Sequence, residues 1–450
     1  MRIPSWILII LTVVAMAAPG TAAQTAGSDS DFTFALTGDA IITRALSVYD
    51  EPEYLEMIDM IRGADASFVN LEMLFHDYEM YPMHQSGGTW MRGDPELVDE
   101  LVWAGFDMVS RANNHTGDYG VEGMRLTTRY VDEAGLVQAG VGESLAEARE
   151  AQFLETAKGR VALISLASTF PDHSRAGRTR GDMPPRPGLS PLRYSTTRVV
   201  TSGQWENLRR AFEDVEIRAT ITGNRMRALG NTFEVGSSPG IRTEPDPTDV
   251  AEIAAVVTSA RRLADHVIVT IHAHESAGAT SVPAEFLPTF ARAMIDAGAT
   301  IFVGHGPHVL RGIEIYEGKP IFYSLGDFIF QNETLDRLPA ENYASYDLGP
   351  DSHVADFNDA RYDMGRSGFP SRREIWESVI AMPRFRGGEL VEVALHPITL
   401  GFGAPAWVRG RPRPASGELG AKILKDLIDR SEPFGTQIEV KDGVGIIRVP

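Results

Sequence analysis

Short apolar runs alternate with amphipathic segments along the first third of the chain. The runs are rich in Phe, Val and Ile, and the segments between them place apolar residues at helical spacing. The predicted elements are, in order, strand Phe32–Thr37, helix Pro52–Ile61, strand Ala66–Val69, helix Pro95–Ala104, strand Asp107–Ser110 and helix Val121–Ala134. Such a series implies right-handed crossovers, so we expect an α/β fold with a largely parallel sheet at its core.

The alternation continues through the second half with one interruption. Pro, Gly and Arg are frequent from Phe170 to Tyr194, which indicates an irregular excursion, and Ala219–Arg242 is interpreted as short strands and turns. The other predicted elements are strand Val161–Ala167, helices over Leu208–Val215 and Val250–Ala260, strand Val267–Ile271, helix Pro283–Ala297 and strand Thr300–Val303. Strands again precede helices, as in the first third.

The C-terminal part has a weaker pattern. Gln331–Arg373 shows no periodicity and is rich in Asp, Asn, Gly and Tyr, which predicts a long loop or lid. Strands Trp376–Ala381 and Leu390–Leu395, helix Glu418–Ile428 and a terminal hairpin over Gln437–Val449 follow. We expect residues 333–450 to pack on the same domain as the rest.

Composition and charge narrow the function classes. The chain has 450 residues, of which 43% are hydrophobic and 23% charged, as expected for one large globular domain with decorations. Its net charge of -19 repels polyphosphates, which argues against nucleic-acid binding. There is no cysteine, so thiol nucleophiles are excluded and any metal must be bound by nitrogen and oxygen atoms.

The N-terminus has the layout of a secretory signal. Arg2 precedes the apolar run Ile7–Ala18, and Thr21-Ala22-Ala23 offers small residues for cleavage. We therefore expect residues 1–23 to be a signal peptide and the mature protein to be periplasmic or extracellular. An uncleaved membrane anchor is the alternative, although the run is short for a membrane span.

Ligand-type side chains follow the predicted strands in five short segments. These segments are Gly38-Asp39, Asn70-Leu71-Glu72, Asn113-Asn114-His115 with Asp118, His272-Ala273-His274-Glu275, and Gly304-His305-Gly306-Pro307-His308. Because parallel strands end at the same edge of a sheet, these side chains are able to converge there. Carboxylate, amide and imidazole groups suit Mn, Fe, Zn or Mg, and the pattern predicts a site for one or two divalent metal ions.

The same segments resemble the capsule-synthesis CapA family, the poly-γ-glutamate biosynthesis proteins. The resemblance is carried by "TGD", "NLE", "NNHTGDYG", "TIH" and "GHGPHVLRGIEIYEGKPIFYSLGDFIF". It implies the fold of calcineurin-like metallophosphatases, a four-layer α-β-β-α sandwich of two mixed sheets, over residues 30–332. The part from about 170 to 245 is then an irregular insertion.

The resemblance also implies roles for individual residues. It assigns the metal ligands as Asp39, Glu72, Asn114, His272, His305 and His308, with Glu72 as a bridging ligand. His115 stands where the family has a catalytic histidine, and Asp118 is suited to orient its ring. His274 and Glu275 are further candidates for the site.

This chain departs from the metallophosphatase pattern at two positions. Asp39 is followed by Ala40 and Ile41, so the usual Asp-x-His loses its histidine, and His305 is followed by Gly306 rather than a second histidine. One metal instead of two is therefore an open alternative. His274 is placed to restore a ligand.

Two functions remain open from the sequence. One is a metal-dependent hydrolase or transferase acting on a phosphoester or on an anionic polymer such as poly-γ-glutamate. The other is a non-catalytic polymer-binding component of capsule assembly, working with capsule synthase or export membrane proteins. An arginine-rich stretch includes Arg178, Arg180 and Arg186, and we expect these three to bind the anionic substrate.

Overall fold

The computed structural model describes residues 31–449. The predicted signal peptide, residues 1–23, lies outside the described residues. Within residues 31–449, no helix has both the length and the apolar character needed to cross a membrane.

The strands are numbered in chain order. They are β1 Phe32–Ile41, β2 Ala66–Leu71, β3 Leu74–Phe75, β4 Arg92–Gly93, β5 Met108–Ser110, β6 Val137–Ala139, β7 Val141–Gly142, β8 Gln152–Thr156, β9 Gly159–Ala167, β10 Gly188–Leu189, β11 Tyr194–Val200, β12 Thr220–Thr222, β13 Arg225–Ala228, β14 Asn231–Val235, β15 Gly240–Pro245, β16 His266–His272, β17 Ile301–His305, β18 Ile313–Tyr316, β19 Lys319–Phe322, β20 Asp327–Phe330, β21 Glu377–Arg386, β22 Glu389–Thr399, β23 Arg413–Pro414, β24 Glu439–Lys441 and β25 Val444–Arg448.

The α-helices are numbered in the same way. They are α1 Pro52–Arg62, α2 Val98–Trp103, α3 Gly120–Glu133, α4 Leu145–Ala148, α5 Ser202–Asp214, α6 Pro247–Ala260, α7 Phe286–Asp296, α8 Ala340–Ala344, α9 Val354–Arg361 and α10 Gly417–Ser431.

The first large sheet has a parallel centre and an antiparallel flank. Its strand order is β24-β25-β22-β21-β1-β2-β5-β6, with β20 also paired to β1 and β23 to β22. Strands β1, β2, β5 and β6 run parallel, and α1, α2 and α3 connect them, so the predicted β-α-β-α-β series is confirmed. Helix α1 shows the local cause: Pro52 sits at its start, and Tyr54, Met57, Ile58 and Ile61 bury one face.

The second large sheet repeats this plan. Its order is β18-β19-β17-β16-β9-β8, with β9, β16, β17 and β19 parallel and antiparallel strands at both edges. Helix α7 begins at Phe286, three residues after the predicted start at Pro283. The later start results from a tertiary contact: the amide of Ala284 donates a hydrogen bond to the carbonyl of Glu275, which keeps residues 283–285 out of the helix.

Three hydrophobic clusters hold the layers together. One packs α1, α2 and the first sheet around residues such as Ile58 and Val69. A second joins the two sheets through residues such as Phe34 and Ile268, and a third packs α6 and α7 on the second sheet. The structure is thus a mixed α/β fold with several mixed sheets. The predicted four-layer order and the domain limits stay predictions.

The insertion is more regular than predicted. Residues 194–245 form a separate five-stranded sheet of order β12-β13-β14-β11-β15, flanked by α5. The description of residues 170–245 as irregular is therefore corrected for this part, whereas the expected short strands over Ala219–Arg242 are confirmed. Strand β11 is rich in Thr and Val, and Gly223 and Gly230 supply the positive φ of the neighbouring hairpin turns, at 59° and 73°.

The C-terminal part extends the first sheet. Strand β21 pairs antiparallel with β1, and the terminal hairpin of β24 and β25 is confirmed, with Asp442 and Gly443 at φ 51° and 80° in its turn. The predicted long loop over residues 331–373 contains two short helices, α8 and α9. They escaped prediction because they are only five and eight residues long.

Candidate metal centre

The carboxyl ends of parallel strands from both large sheets meet at one place. Asp39 and Asn70 are register partners near the ends of β1 and β2, and His272 and His305 are register partners at the ends of β16 and β17. At Gly38 the backbone of β1 passes very close to the segment before β20. This approach requires glycine, because a Cβ at Gly38 would lie 1.8 Å from the carbonyl oxygen of Gly326. This close approach lets β20 pair with β1 opposite Asp39.

The first sheet supplies buried carboxylates. Asp39, Glu72 and Asp327 each have 0% exposure. Asp39 accepts hydrogen bonds from Asn70 Nδ2 at 2.7 Å and from the amide of Gly306 at 2.8 Å. Asp327 was not among the predicted ligands, although Gly326-Asp327 follows an apolar run and repeats the Gly38-Asp39 pattern.

The second sheet supplies buried imidazoles. His272 Nδ1 lies 3.6 Å and His305 Nδ1 3.4 Å from Asp39 Oδ1. The hydroxyl of Thr270, 2.8 Å from His305 Nε2, fixes the orientation of that ring. His274 Nε2 lies 2.8 Å from His272 Nε2, so the structure brings this candidate into the cluster as well.

Three imidazoles surround one carboxylate oxygen. The Nε2 atoms of His115, His272 and His308 lie 3.8, 3.7 and 3.8 Å from Glu72 Oε1. Two ligands that each sit about 2.1 Å from one cation are roughly 3 to 3.5 Å apart, close to these distances. Among residues 31–449, the possible ligand groups are Asp39-His272-His305, Glu72-His272-His274 and Asp39-Glu72-His308-Asp327.

Unsatisfied buried atoms test whether a metal fits. Both carboxylate oxygens of Glu72, Oδ1 of Asn114 and Oδ2 of Asp327 are buried without a hydrogen-bond partner among the described residues. Leaving such atoms unpaired costs about 1 to 3 kcal/mol each, more for charged groups. Oxygen and nitrogen donors of this kind are ligands of divalent cations, so the residues present fit one or more metal ions.

Burial and mutual repulsion perturb the acids and bases of the cluster. Burial, with the charges of Asp39 and Asp327, holds the pKa of Glu72 well above its ordinary value. Burial also raises the pKa of Asp327 to about 7, and lowers the pKa of His272 to about 3. The neighbouring Asp327 carboxylate, by contrast, raises the pKa of His308. Buried carboxylates that repel one another form an environment that a cation stabilises.

His115 and His308 are held in the same way. His115 Nδ1 lies 2.7 Å from Asp118 Oδ2, and His308 Nδ1 lies 2.8 Å from Asp327 Oδ1. Asp118 also accepts hydrogen bonds from the amides of Gly87 and Met91, at 2.9 and 2.8 Å. Each aspartate thus fixes its ring so that Nε2 faces Glu72.

Backbone strain accompanies the His305–His308 turn. His308 has φ 58° and Gly306 has φ 113°. A non-glycine residue in the left-handed region is uncommon, and such strain clusters at ligand sites. A side chain at Gly306 would also crowd the amide of Ala273 and the ring of His274, each 3.0 Å from an added Cβ.

A cavity of about 270 Å³ opens onto this cluster. Its lining includes Asn114, His115, His274 and His308, together with Ile41 at the position of the missing histidine. It also includes two arginines that sequence reasoning missed, Arg361 and Arg372, and these come from the segment predicted as a loop or lid.

The three arginines predicted to bind substrate lie elsewhere. None of Arg178, Arg180 and Arg186 is among the described residues that line this cavity. Arg178 pairs with Glu252 at 2.6 Å, Arg180 pairs with Asp182 at 2.5 Å, and Arg186 Nε donates to the carbonyl of Arg175 at 2.8 Å.

Glu275 has a supporting place. Its carboxylate accepts hydrogen bonds from Ser168 at 2.8 Å and Thr169 at 2.9 Å. Thr169 in turn accepts a hydrogen bond from the amide of His274 at 2.9 Å. Glu275 therefore positions the backbone of His274, and it belongs to none of the three ligand groups.

Comparison with known families assigns the chain. The family described as bacterial capsule synthesis protein PGA_cap matches residues 33–332, which include every predicted ligand. The chain belongs to this capsule synthesis family. Its resemblance to the CapA proteins is thereby confirmed, and with it membership of the metallophosphatase-like superfamily.

Relatives of the capsule synthesis family differ in how much of the chain they match. Uncharacterized protein y4uA of Sinorhizobium fredii (strain NBRC 101917 / NGR234) is 40% identical over 430 residues, which is 93% of this chain and 93% of that protein. Protein y4sH of the same strain is 39% identical over 93% of each chain. PGA biosynthesis protein CapA of Bacillus subtilis (strain 168) is 27% identical, over 67% of this chain and 64% of that protein.

Proposed function

We propose that this chain is an exported, metal-dependent hydrolase or transferase of capsule or poly-γ-glutamate biosynthesis. The observation that carries the proposal is Glu72, a fully buried carboxylate without a hydrogen-bond partner among the described residues, with three imidazole nitrogens 3.7 to 3.8 Å from one of its oxygens. Membership of the capsule synthesis family supports a role in capsule or poly-γ-glutamate biosynthesis. The substrate is then an anionic polymer or a small phosphoester, and the fold is the four-layer α-β-β-α sandwich.

The ligands in this proposal are Asp39, Glu72, Asn114, His272, His305 and His308, with His274 and Asp327 added from the structure. A bound divalent metal supplies a Lewis acid and lowers the pKa of a coordinated water. Asn114 donates its Nδ2 hydrogen to the carbonyl of Gly87 at 2.9 Å, which turns its free Oδ1 toward a ligand role.

His115 is the catalytic acid or base in this proposal. Asp118 holds its Nδ1, so Nε2 is the atom that accepts or donates a proton at the reacting group. Both residues are almost fully buried, with 3% and 0% exposure, and this keeps bulk water from competing for that proton.

A polymer-binding component without catalysis is the second candidate. The observation in its favour is Ile41, an apolar residue that lines the cavity where a histidine ligand is expected. In that case the metal cluster stabilises the fold, and the partners are the polymer and membrane proteins of capsule synthesis or export.

Metal content and turnover together test the proposal. The mature protein is reconstituted with Mn, Fe, Zn or Mg, and its metal is measured by elemental analysis; we expect about one or two equivalents of at least one metal. Glu72→Gln, which removes the charge and keeps the shape, should lose most of it. His266→Phe, at the opposite end of β16 from His272, is the matched control and should keep it.

Two outcomes decide between the candidates. Less than about a tenth of an equivalent of every metal contradicts both the metal centre and the enzyme. Full metal content with binding of poly-γ-glutamate, but no cleavage or transfer of that polymer or of a phosphoester, favours the non-catalytic component.

A further inference from the structure

Arg361 stands out among the arginines near the cavity. Residues 331–373 contain five arginines, and four of them pair with a carboxylate close to them in sequence. Within the part of the chain that the structure describes, Arg361 has no carboxylate partner. It lines the cavity beside the metal cluster, where a cationic fork without a counter-ion is suited to an anion.

The position of Arg361 is well defined. It is the last residue of α9, whose Val354 and Phe357 are buried. Asn358 of the same helix donates to the carbonyl of Glu333 at 2.9 Å, which ties the helix to the turn that follows β20. The guanidinium lies 5.1 Å from the ring centre of Tyr362, a cation–π distance, so the side chain is held by its surroundings.

One loop connects Arg361 to the cluster. Its Nη1 donates to the hydroxyl of Thr89, which is 3% exposed. Two residues earlier, Gly87 donates its amide to Asp118 and accepts from Asn114, both at 2.9 Å. Gly87 has to be glycine, because a Cβ would lie 2.5 Å from the carbonyl oxygen of Asn114. The loop therefore fixes Arg361 relative to the proposed ligand and acid.

The other cavity arginine differs in charge balance. Arg372 Nη2 lies 2.9 Å from Glu374 Oε1, so its charge is already neutralised. The cavity volume of about 270 Å³ is slightly below the range of ordinary ligand sites, about 300 to 1,000 Å³. It accommodates one small anionic group and not several units of a polymer.

We propose that Arg361, held by Thr89, is a specificity-determining residue that binds one carboxylate or phosphate group of the substrate in this cavity. The inference rests on the proposed function for the identity of the reaction. It deepens that function by assigning the anion-binding residue to the segment 331–373 rather than to Arg178, Arg180 and Arg186.

Calorimetric titration of the full mature protein tests this assignment with two probes, inorganic phosphate and the dipeptide γ-glutamylglutamate. Each probe is titrated into metal-reconstituted and chelator-treated protein. Arg361→Ala should weaken binding of at least one probe about 10-fold to 100-fold. Arg361→Gln, which keeps a donor for Thr89 and loses the charge, should weaken it to a similar extent.

Arg180→Ala is the matched control, because Arg180 is an exposed arginine of the stretch that sequence reasoning favoured. We expect its affinities within about twofold of wild type. Loss confined to phosphate assigns the site to phosphoesters, and loss confined to the dipeptide assigns it to carboxylates. Both Arg361 variants binding as wild type does, or wild type binding neither probe, overturns the inference.

The same titrations separate this inference from the proposed function. Wild-type protein that holds no metal and turns over no substrate, yet loses probe affinity on Arg361→Ala, contradicts the enzyme and supports the anion site. If the wild-type protein binds metal and turns over substrate, but both Arg361 variants keep wild-type affinity for the probes, only the anion site is contradicted.

Discussion

The two large sheets contribute opposite chemistries to the candidate metal centre. The first sheet brings oxygen donors, which are the carboxylates of Asp39, Glu72 and Asp327 and the amide of Asn114. The second brings imidazoles from the ends of β16 and β17. Burial disfavours charge in both halves, and adjacent carboxylates also repel each other, so the cost that a cation offsets falls mainly on the oxygen side. We therefore expect metal binding to stabilise the docking of the two sheets.

His115 is the exception to this division, and it gives the largest expected effect. It comes from the first sheet, yet its Nε2 is as far from Glu72 Oε1 as that of His308, at 3.8 Å. If His115 is the catalytic acid, His115→Gln lowers turnover about 10²-fold to 10⁴-fold and keeps the metal. His308→Ala and His305→Ala should lose both, as shown by elemental analysis of each variant beside its kinetics. Loss of metal in His115→Gln would make it a ligand.

A ligand that two groups share should matter more than a ligand of one group. Asp39, on the oxygen side, belongs to two of the three ligand groups, whereas His274, on the nitrogen side, belongs to one. We expect Asp39→Asn to weaken metal affinity more than about 100-fold and His274→Ala about 10-fold, measured by competition with a chelator. Circular dichroism checks that both variants fold. Equal losses of metal affinity in the two variants would show that sharing between groups does not make a ligand more important.

The pH dependence of metal binding should come from Asp327 and its partner His308, because the pKa values of both groups are raised. The pKa of Asp327 is raised to about 7 by burial, so the metal-free protein holds a proton there up to that pH, and the metal has to displace it. Affinity should fall about tenfold for each pH unit and each displaced proton as the pH drops from about 7 to 5. His272, with a pKa of about 3, stays neutral over this range.

Chelator competition at several pH values measures this slope, and Asp327→Asn should shift it to lower pH. An affinity that is flat between about pH 5 and 8 in wild type would contradict the role of the carboxylates. A slope that Asp327→Asn leaves in place would assign the protons to other groups.

The smallest expected effect contrasts the two ends of β16. His266 packs against Phe32, Phe34 and Phe385, with ring centres 4.6 to 5.2 Å apart, and burial lowers its pKa to about 4. Below about pH 6.5 the imidazole of His266 takes up a proton in the unfolded chain but not in the folded protein. The contribution of neutral His266 to the stability of the fold is therefore full above about pH 6.5 and is lost as the pH falls toward 4.

Urea unfolding of metal-free protein at about pH 7 and pH 5 tests this expectation. Wild type should lose about 1 to 2 kcal/mol through His266, and His266→Phe should lose correspondingly less. His76, whose pKa burial also lowers to about 4, remains in both proteins as an internal reference. An unchanged difference between the two pH values in His266→Phe would exclude His266 as the source.

Local patterns predicted those parts of the fold that depend on neighbouring residues. The alternation through α3 and the hairpin at Asp442-Gly443 are short-range signals, and the structure confirms them. Short apolar strands that end near Asp39, Glu72 or His272 also marked the site, because the end of a strand fixes the position of the next few residues. The regular five-stranded sheet of the insertion and helices α8 and α9 were not predicted, since packing against the rest of the chain stabilises such short elements.

By itself, the sequence determined the α/β alternation, the nitrogen and oxygen character of the site and the family of the chain. Only the tertiary structure decided which polar residues share that site. Asp327 lies beside Asp39 because β20 pairs with β1, although the two strands are far apart in sequence. Arg361 contacts Thr89 because α9 packs near the loop that holds Thr89. The arginines that the sequence favoured have partners away from the cavity: Glu252 for Arg178, Asp182 for Arg180 and the carbonyl of Arg175 for Arg186. Such long-range placement depends on packing of the whole core, which no local periodicity encodes.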